Sequence, residues 1–219
     1  MNEKYLQKHG RTLMRLAREM MTHRPGERIA TIAEYVERYG VSRGIVQAAF
    51  KELCESALSL DKRGYKGSYI SDIDYKQMWT LTGWGVLVGL LSLPLLDNLR
   101  ALTTAVSQNF EQTDIPLRLA FMQGADNRAG AVNDDRFDFA IMSKQSAEHC
   151  LAQRPRLKIA LELAKKGGRV PDEEASAQGT SSAVIVTNRD NYWIDQLLRY
   201  WLQVEKVQEV MEKMEPDHD

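Results

Sequence analysis

Two things are scarce in this 219-residue chain, cysteine and net charge. Its two cysteines, Cys54 and Cys150, lie far apart and form no CxxC pair. That spacing argues against a zinc site or a disulfide framework and predicts reduced thiols. The net charge of −1 gives the chain as a whole no attraction for an anionic polymer. Long apolar runs are missing too. The most apolar stretch, Trp84 to Leu96 (WGVLVGLLSLPLL), falls short of the ~20 residues a membrane helix needs, and Pro94 interrupts it. The first residues carry no basic start followed by an apolar core, so no signal peptide is expected and the cytoplasm is the predicted location.

Catalytic signatures are absent as well. There is no GxSxG, HExxH, phosphate-binding loop or metal-ligand spacing. His149 and Cys150 are neighbours, but adjacent side chains on a helix point about 100° apart and make no nucleophile–base pair. No catalytic residue, metal or cofactor is therefore expected, and the chain is not read as an enzyme.

What is present is an ordinary soluble composition, with 43% hydrophobic and 27% charged residues. The length suits two modest domains. Charge is unevenly divided: residues 1–70 hold 13 Lys+Arg against 8 Asp+Glu, net +5, and the remainder 16 against 22, net −6. A basic front and an acidic rear predict that only the front meets nucleic acid.

The front reads as three helices and a hairpin. Leu6, Leu13, Leu16, Ala17, Met20 and Met21 recur at helical spacing and predict a first helix over Asn2–His23, ended by Pro25-Gly26. Thr31 with Glu34 predicts a capping box at the start of a second helix, with Ile32, Val36 and Tyr39 towards a core and Gly40 as its stop. Ser42 is the expected N-cap of a third helix, with Val46, Ala49, Phe50 and Leu53 inward and Arg43, Gly44, Gln47 and Lys51 outward. Two short helices joined by Gly40-Val41 make a helix-turn-helix. Leu58 to Ile70 (LSLDKRGYKGSYI) then reads as a hairpin with a basic glycine tip, a wing.

This front, residues 1–72, is expected to be a winged helix-turn-helix domain. The third helix would lie in the major groove of a double-stranded DNA operator. Arg43, Gly44 and Gln47 would meet base edges, where arginine pairs with guanine and glutamine with adenine for ~1–3 kcal/mol of discrimination each. Ser42 would cap the helix and touch a phosphate. Lys51, Arg63, Lys66 and Gly67 would lie along the backbone, adding affinity and salt dependence without sequence information.

Ser71–Met78 is polar and reads as a link. Residues 79–219 then alternate: strands over Val86–Leu93, Pro116–Met122 and Phe137–Met142, and helices over Leu96–Phe110, Arg128–Asp134 and Gln145–Ala152. This predicts an α/β domain with a parallel sheet. Ala164–Ser182 is rich in glycine, serine and charge and reads as a junction. Ala183–Thr187 is a short strand, and Trp193 to Met211 marks one long amphipathic helix before an acidic tail, Glu215–Asp219.

PGERI (25–29), YGVSRGIVQAAFKEL (39–53) and RGYKGSYI (63–70) together resemble the DNA-binding domain of GntR-type bacterial regulators. That family usually has a basic residue where Gln47 stands and a small polar one at Gly44, which implies a different operator. PLRLAFMQGADNRAGAVNDDRFDFAIMSKQSAEHCL (116–151) and TNRDNYWIDQLLRYW (187–201) resemble the YhfZ-like regulators, which join such a head to a domain like a periplasmic binding protein. Most of that domain's second lobe has no counterpart between Ala164 and Ser182. The resemblance places an effector at the strand ends, near Pro94, near Gly124, Ala125, Asn127 and Arg128, and near Ser143 and Lys144. Arg128 and Lys144 favour a small anionic metabolite. A homodimer is expected. Alternatively the rear domain binds no ligand and only dimerises, with Trp193, Tyr200 and Trp201 as core or as seam.

Overall fold

The computed structural model describes residues 7–94, 96–163, 169–172 and 179–214. The expected helix start near Asn2 and the acidic tail Glu215–Asp219 lie outside them. The chain divides after Gly85 into two compact units. No helix among the described residues is long and apolar enough to cross a membrane.

Unit 1 begins with α1 (Lys8–Met20), whose stripe Leu13, Leu16, Ala17 and Met20 is buried as its spacing requires. Next, α2 (Ile32–Tyr39) carries the capping box: Thr31 N–H donates to the Glu34 carboxylate at 2.6 Å, and Glu34 N–H to the Thr31 hydroxyl at 3.3 Å. The first of these bonds holds the Glu34 carboxyl below its ordinary pKa. Gly40 ends α2 at φ 63°, the left-handed conformation glycine adopts without strain. The buried residue of α2 is Tyr35, while the expected Ile32, Val36 and Tyr39 are only partly covered.

After α3 (Arg43–Ser56), strands β1 (Leu58–Lys62) and β2 (Ser68–Ile73) pair antiparallel, joined by a 3-10 turn at Gly64–Lys66. The stretch expected to be a polar link instead forms α4 (Tyr75–Leu81), capped by Asp74. It belongs to unit 1 because Met78 and Trp79 are buried, Tyr75 hydroxyl donates to His23 carbonyl at 2.7 Å and Arg18 donates to Thr82 carbonyl at 2.9 Å. The boundary thus falls after residue 85 rather than between 72 and 79.

Unit 2 follows as β3 (Leu87–Leu91), α5 (Asp97–Glu111), β4 (Leu117–Phe121), α6 (Ala125–Asn133), β5 (Phe139–Ser143), α7 (Lys144–Gln153), β6 (Leu157–Glu162), β7 (Arg169–Pro171), β8 (Thr180–Asn188), α8 (Tyr192–Trp201) and α9 (Val204–Met214). The sheet order is β4-β3-β5-β8-β6, with β7 paired to β8. Strand β4 lies on one side of β3 and β5 on the other, so right-handed crossovers carry α5 and α6 over opposite faces.

The expected parallel sheet is mixed. β8 runs antiparallel to both β5 and β6, because the chain leaves the sheet at the end of β6 and returns from that same edge. Its centre, Ala183 to Val186, is fully covered, as a β-branched run in mid-sheet should be. The single long terminal helix is two. Leu202, 4% exposed and extended in backbone, turns the chain from α8 on the sheet to α9 against α5.

Candidate nucleic-acid interface

α3 is amphipathic in the sense the spacing implies. Val46, Ala49, Phe50 and Leu53 are buried, which turns Arg43, Gly44, Gln47 and Lys51 outward, all exposed. Ala48 shares the outward face and was not singled out from the pattern. A Cβ placed on Gly44 would meet nothing within 4 Å, so packing does not require glycine there. Ser42 has the extended backbone of an N-cap, but its hydroxyl makes no capping bond; its carbonyl accepts from Ile45 and Val46 instead. The capping role expected of its side chain is therefore not filled. Lys51 reaches Glu55 at 3.7 Å with both side chains largely exposed, a pair worth little in water.

The hairpin sorts its basic residues. Arg63, exposed where the tip begins, donates to Asp61 at 2.7 Å with its guanidinium 4.5 Å from the Tyr69 ring centre. Lys66 is exposed at the tip beside Tyr65, which is 94% exposed, the most open large hydrophobic residue among the described residues. Nothing in the apolar periodicity marks Tyr65; only its place between Gly64 and Lys66 does. Gly67 serves the fold: its φ is 93°, and a Cβ would sit 2.8 Å from Arg28 Nε. Between α3 and the hairpin lies a groove of about 550 Å³, with Gln47 and Lys51 on one wall and Lys62 and Ser68 on the other.

Behind this surface, the Glu19 carboxylate accepts from Tyr39 at 2.8 Å, Tyr35 at 3.1 Å and Arg38 at 2.8 Å. Burial, then the charge of Glu19, raises the pKa of both tyrosines above the ordinary phenol value. Both hydroxyls act as neutral donors to Glu19 and tie α2 to α1.

In unit 2 the carboxyl ends of β3 and β5 do bring two expected ligand residues together. Arg128 and Ser143 line a space of about 10 Å³, room for about one water. Both already serve the fold. Arg128 is fully buried and donates to Met122 carbonyl at 2.8 Å. Ser143 caps α7 by accepting from Ser146 N–H at 3.2 Å. The remaining expected residues do not line that space. Lys144 pairs with Glu162 at 3.3 Å, Asn127 donates to Gln123 carbonyl, and Pro94 carbonyl accepts from Arg100. Gly124 takes φ 86° at the N-cap of α6, and Ala125 is buried in the core. Val170 and Pro171 of β7, from the stretch read as featureless junction, form the other wall of the space.

Residues 24–70 match the family described as a helix-turn-helix domain, and residues 74–167 the one described as the YhfZ C-terminal domain. The chain is similar to the Uncharacterized protein YhfZ of Escherichia coli (strain K12), at 30% identity over 197 residues. That match covers 90% of this chain, which spans 64% of the length of that relative. Among solved structures, the crystal structure of YhfZ from Shigella flexneri aligns at a TM-score of 0.48 and 18% identity, over 60% of this chain and 96% of that one. The oxidized form of Corynebacterium glutamicum OxyR aligns at a TM-score of 0.37 and 10% identity, over 96% and 94% of the two chains.

Proposed function

We propose that the chain is a sequence-specific DNA-binding transcriptional regulator acting in the cytoplasm, with a winged helix-turn-helix of GntR type as its reading head. One observation carries the reading. The exposed side of α3 presents Arg43, Gly44 and Gln47 on a helix fixed from behind by Val46, Ala49, Phe50 and Leu53, with a basic hairpin next in the chain. Arg43 and Gln47 read base edges, and Lys51 and Lys66 add backbone contacts. A homodimer would carry two such heads to half-sites about one helical turn apart. Genomic footprinting with the purified chain tests this. A defined set of protected sites, bound more weakly as salt rises, is the expected result; no sequence preference and no salt dependence would end the reading.

Two roles compete for unit 2. Modulation by a small anionic metabolite is supported by the meeting of Arg128 and Ser143 at the carboxyl edge of the sheet. Such a ligand shifts DNA affinity only by binding two states of the protein unequally, and here it would have to displace Val170 and Pro171. That closure favours the second role, a ligand-free dimerisation module. A thermal-shift screen of anionic metabolites separates them: one stabiliser that also changes DNA affinity supports the sensor, and none, with a stable dimer, supports the module.

A further inference from the structure

A second basic surface of unit 1 lies away from the outward face of α3. Lys8, Arg11 and Arg15 stand at i, i+3 and i+7 on α1 and share one side of that helix, all exposed. They line a cleft of about 380 Å³ whose opposite wall is Tyr39, Gly40 and Val41. Three other arginines of this unit are engaged within the fold: Arg18 with Thr82 carbonyl, Arg38 with Glu19 and Arg63 with Asp61. Among the described residues, none of Lys8, Arg11 and Arg15 has a carboxylate partner; Arg15 only stacks, 5.7 Å from the centre of the Tyr39 ring. Like charges one turn apart repel each other along a helix. Three uncompensated cations around a concavity therefore make a place that an anion relieves.

We propose that this cleft seats a run of DNA backbone phosphates, extending the DNA contact beyond α3 and the hairpin. The proposal rests on the DNA-binding reading above. Its geometric support is continuity: Gly40 and Val41, one wall of the cleft, immediately precede Ser42 and Arg43. A duplex that receives Arg43 in its major groove presents the phosphates bordering that groove to the residues beside the turn. The cleft holds cations and no described acid, which suits phosphate oxygens and carries no sequence information.

The test uses the full chain on a random-sequence DNA duplex, with affinity followed as salt is raised. Lys8→Gln/Arg11→Gln removes two cations whose side chains make no hydrogen bond or ion pair among the described residues. It is expected to lower the slope of log affinity against log salt by about two and the low-salt affinity by about tenfold. The loss should be equal on specific and random duplexes, with the unfolding midpoint unchanged. Arg15→Gln serves as an independent single variant, expected to lower the slope by about one. An unchanged slope in both variants, while the unsubstituted chain binds DNA normally, overturns the cleft and leaves α3 and the hairpin as the whole interface. Inorganic pyrophosphate is titrated separately without DNA. Its tight binding to the cleft, together with an unchanged slope, would assign the site to a free anion and equally overturn the proposal. If the unsubstituted chain binds no DNA, both readings fall together.

Discussion

Tyr39 donates its hydroxyl to the Glu19 carboxylate at 2.8 Å, joining the last residue of α2 to the end of α1. Gly40 and Val41 follow directly, and α3 starts two residues later. The angle at which α3 leaves the turn is therefore set partly by a carboxylate that contacts no candidate DNA-reading side chain.

Replacing that carboxylate should loosen unit 1. Glu19→Ala removes an acceptor shared by Tyr35, Tyr39 and Arg38, and hydrogen bonds to a charged group contribute about 1.5–3 kcal/mol each. The expected loss is about 2 kcal/mol or more, read by urea unfolding, with weaker DNA binding alongside. Unchanged stability would show the cluster to be incidental.

Gly44→Ala separates folding from function. The position is open and helical, so alanine should stabilise by up to about 1 kcal/mol. If the bare helix surface is needed for close approach to DNA, the same variant should bind its operator less well while melting at a higher temperature. A gain in both would show that Gly44 has no part in recognition.

Arg43→Ala and Gln47→Ala should each relax the choice of one base pair, at a cost of about 1–3 kcal/mol on the preferred operator. Lys66→Gln should instead weaken all duplexes alike and lower the salt slope by about one. Parallel titrations on operator and scrambled duplexes check both patterns. A uniform loss in the α3 variants would move base reading elsewhere, with Tyr65 at the hairpin tip as the next residue to test.

Asp138 supplies a pH prediction for unit 2. It accepts from Val88 N–H at 2.7 Å, tying the start of β5 to β3, and burial raises its pKa despite that bond. A carboxyl raised in the folded state holds its proton longer there, so its contribution to stability falls as pH rises from the ordinary carboxylate value to the folded one. Asp138→Asn keeps an acceptor and removes the charge. It should gain stability relative to the unsubstituted chain as pH is taken from 4 towards 7. A difference independent of pH would dismiss burial as the controlling effect.

Much of unit 1 was legible because its signals are local. A capping box, a left-handed glycine and a 3.6-residue apolar stripe each act within a few residues, and all three reappear at Thr31–Glu34, Gly40 and Val46–Leu53. Strand β6 was missed although Leu157, Ile159 and Leu161 alternate; its bulge between Ile159 and Leu161 shifts burial onto Ala160 and Leu163. α4 reads as a linker in sequence because only two of its residues, Met78 and Trp79, are buried, and that burial depends on a helix about sixty positions earlier.

A helix-turn-helix followed in the chain by an α/β domain was determined by residue order alone, down to which side of α3 faces outward. Tertiary structure decided the rest. It reversed β8, since strand direction follows from where the chain re-enters the sheet. It gave Arg63 and Gly67 neighbours within the hairpin and beside it, Asp61 and Tyr69 for the first and Arg28 for the second. It also set β7 against the strand ends where an effector was expected, through contacts with β5 and α5 that are distant in sequence and that no local pattern encodes.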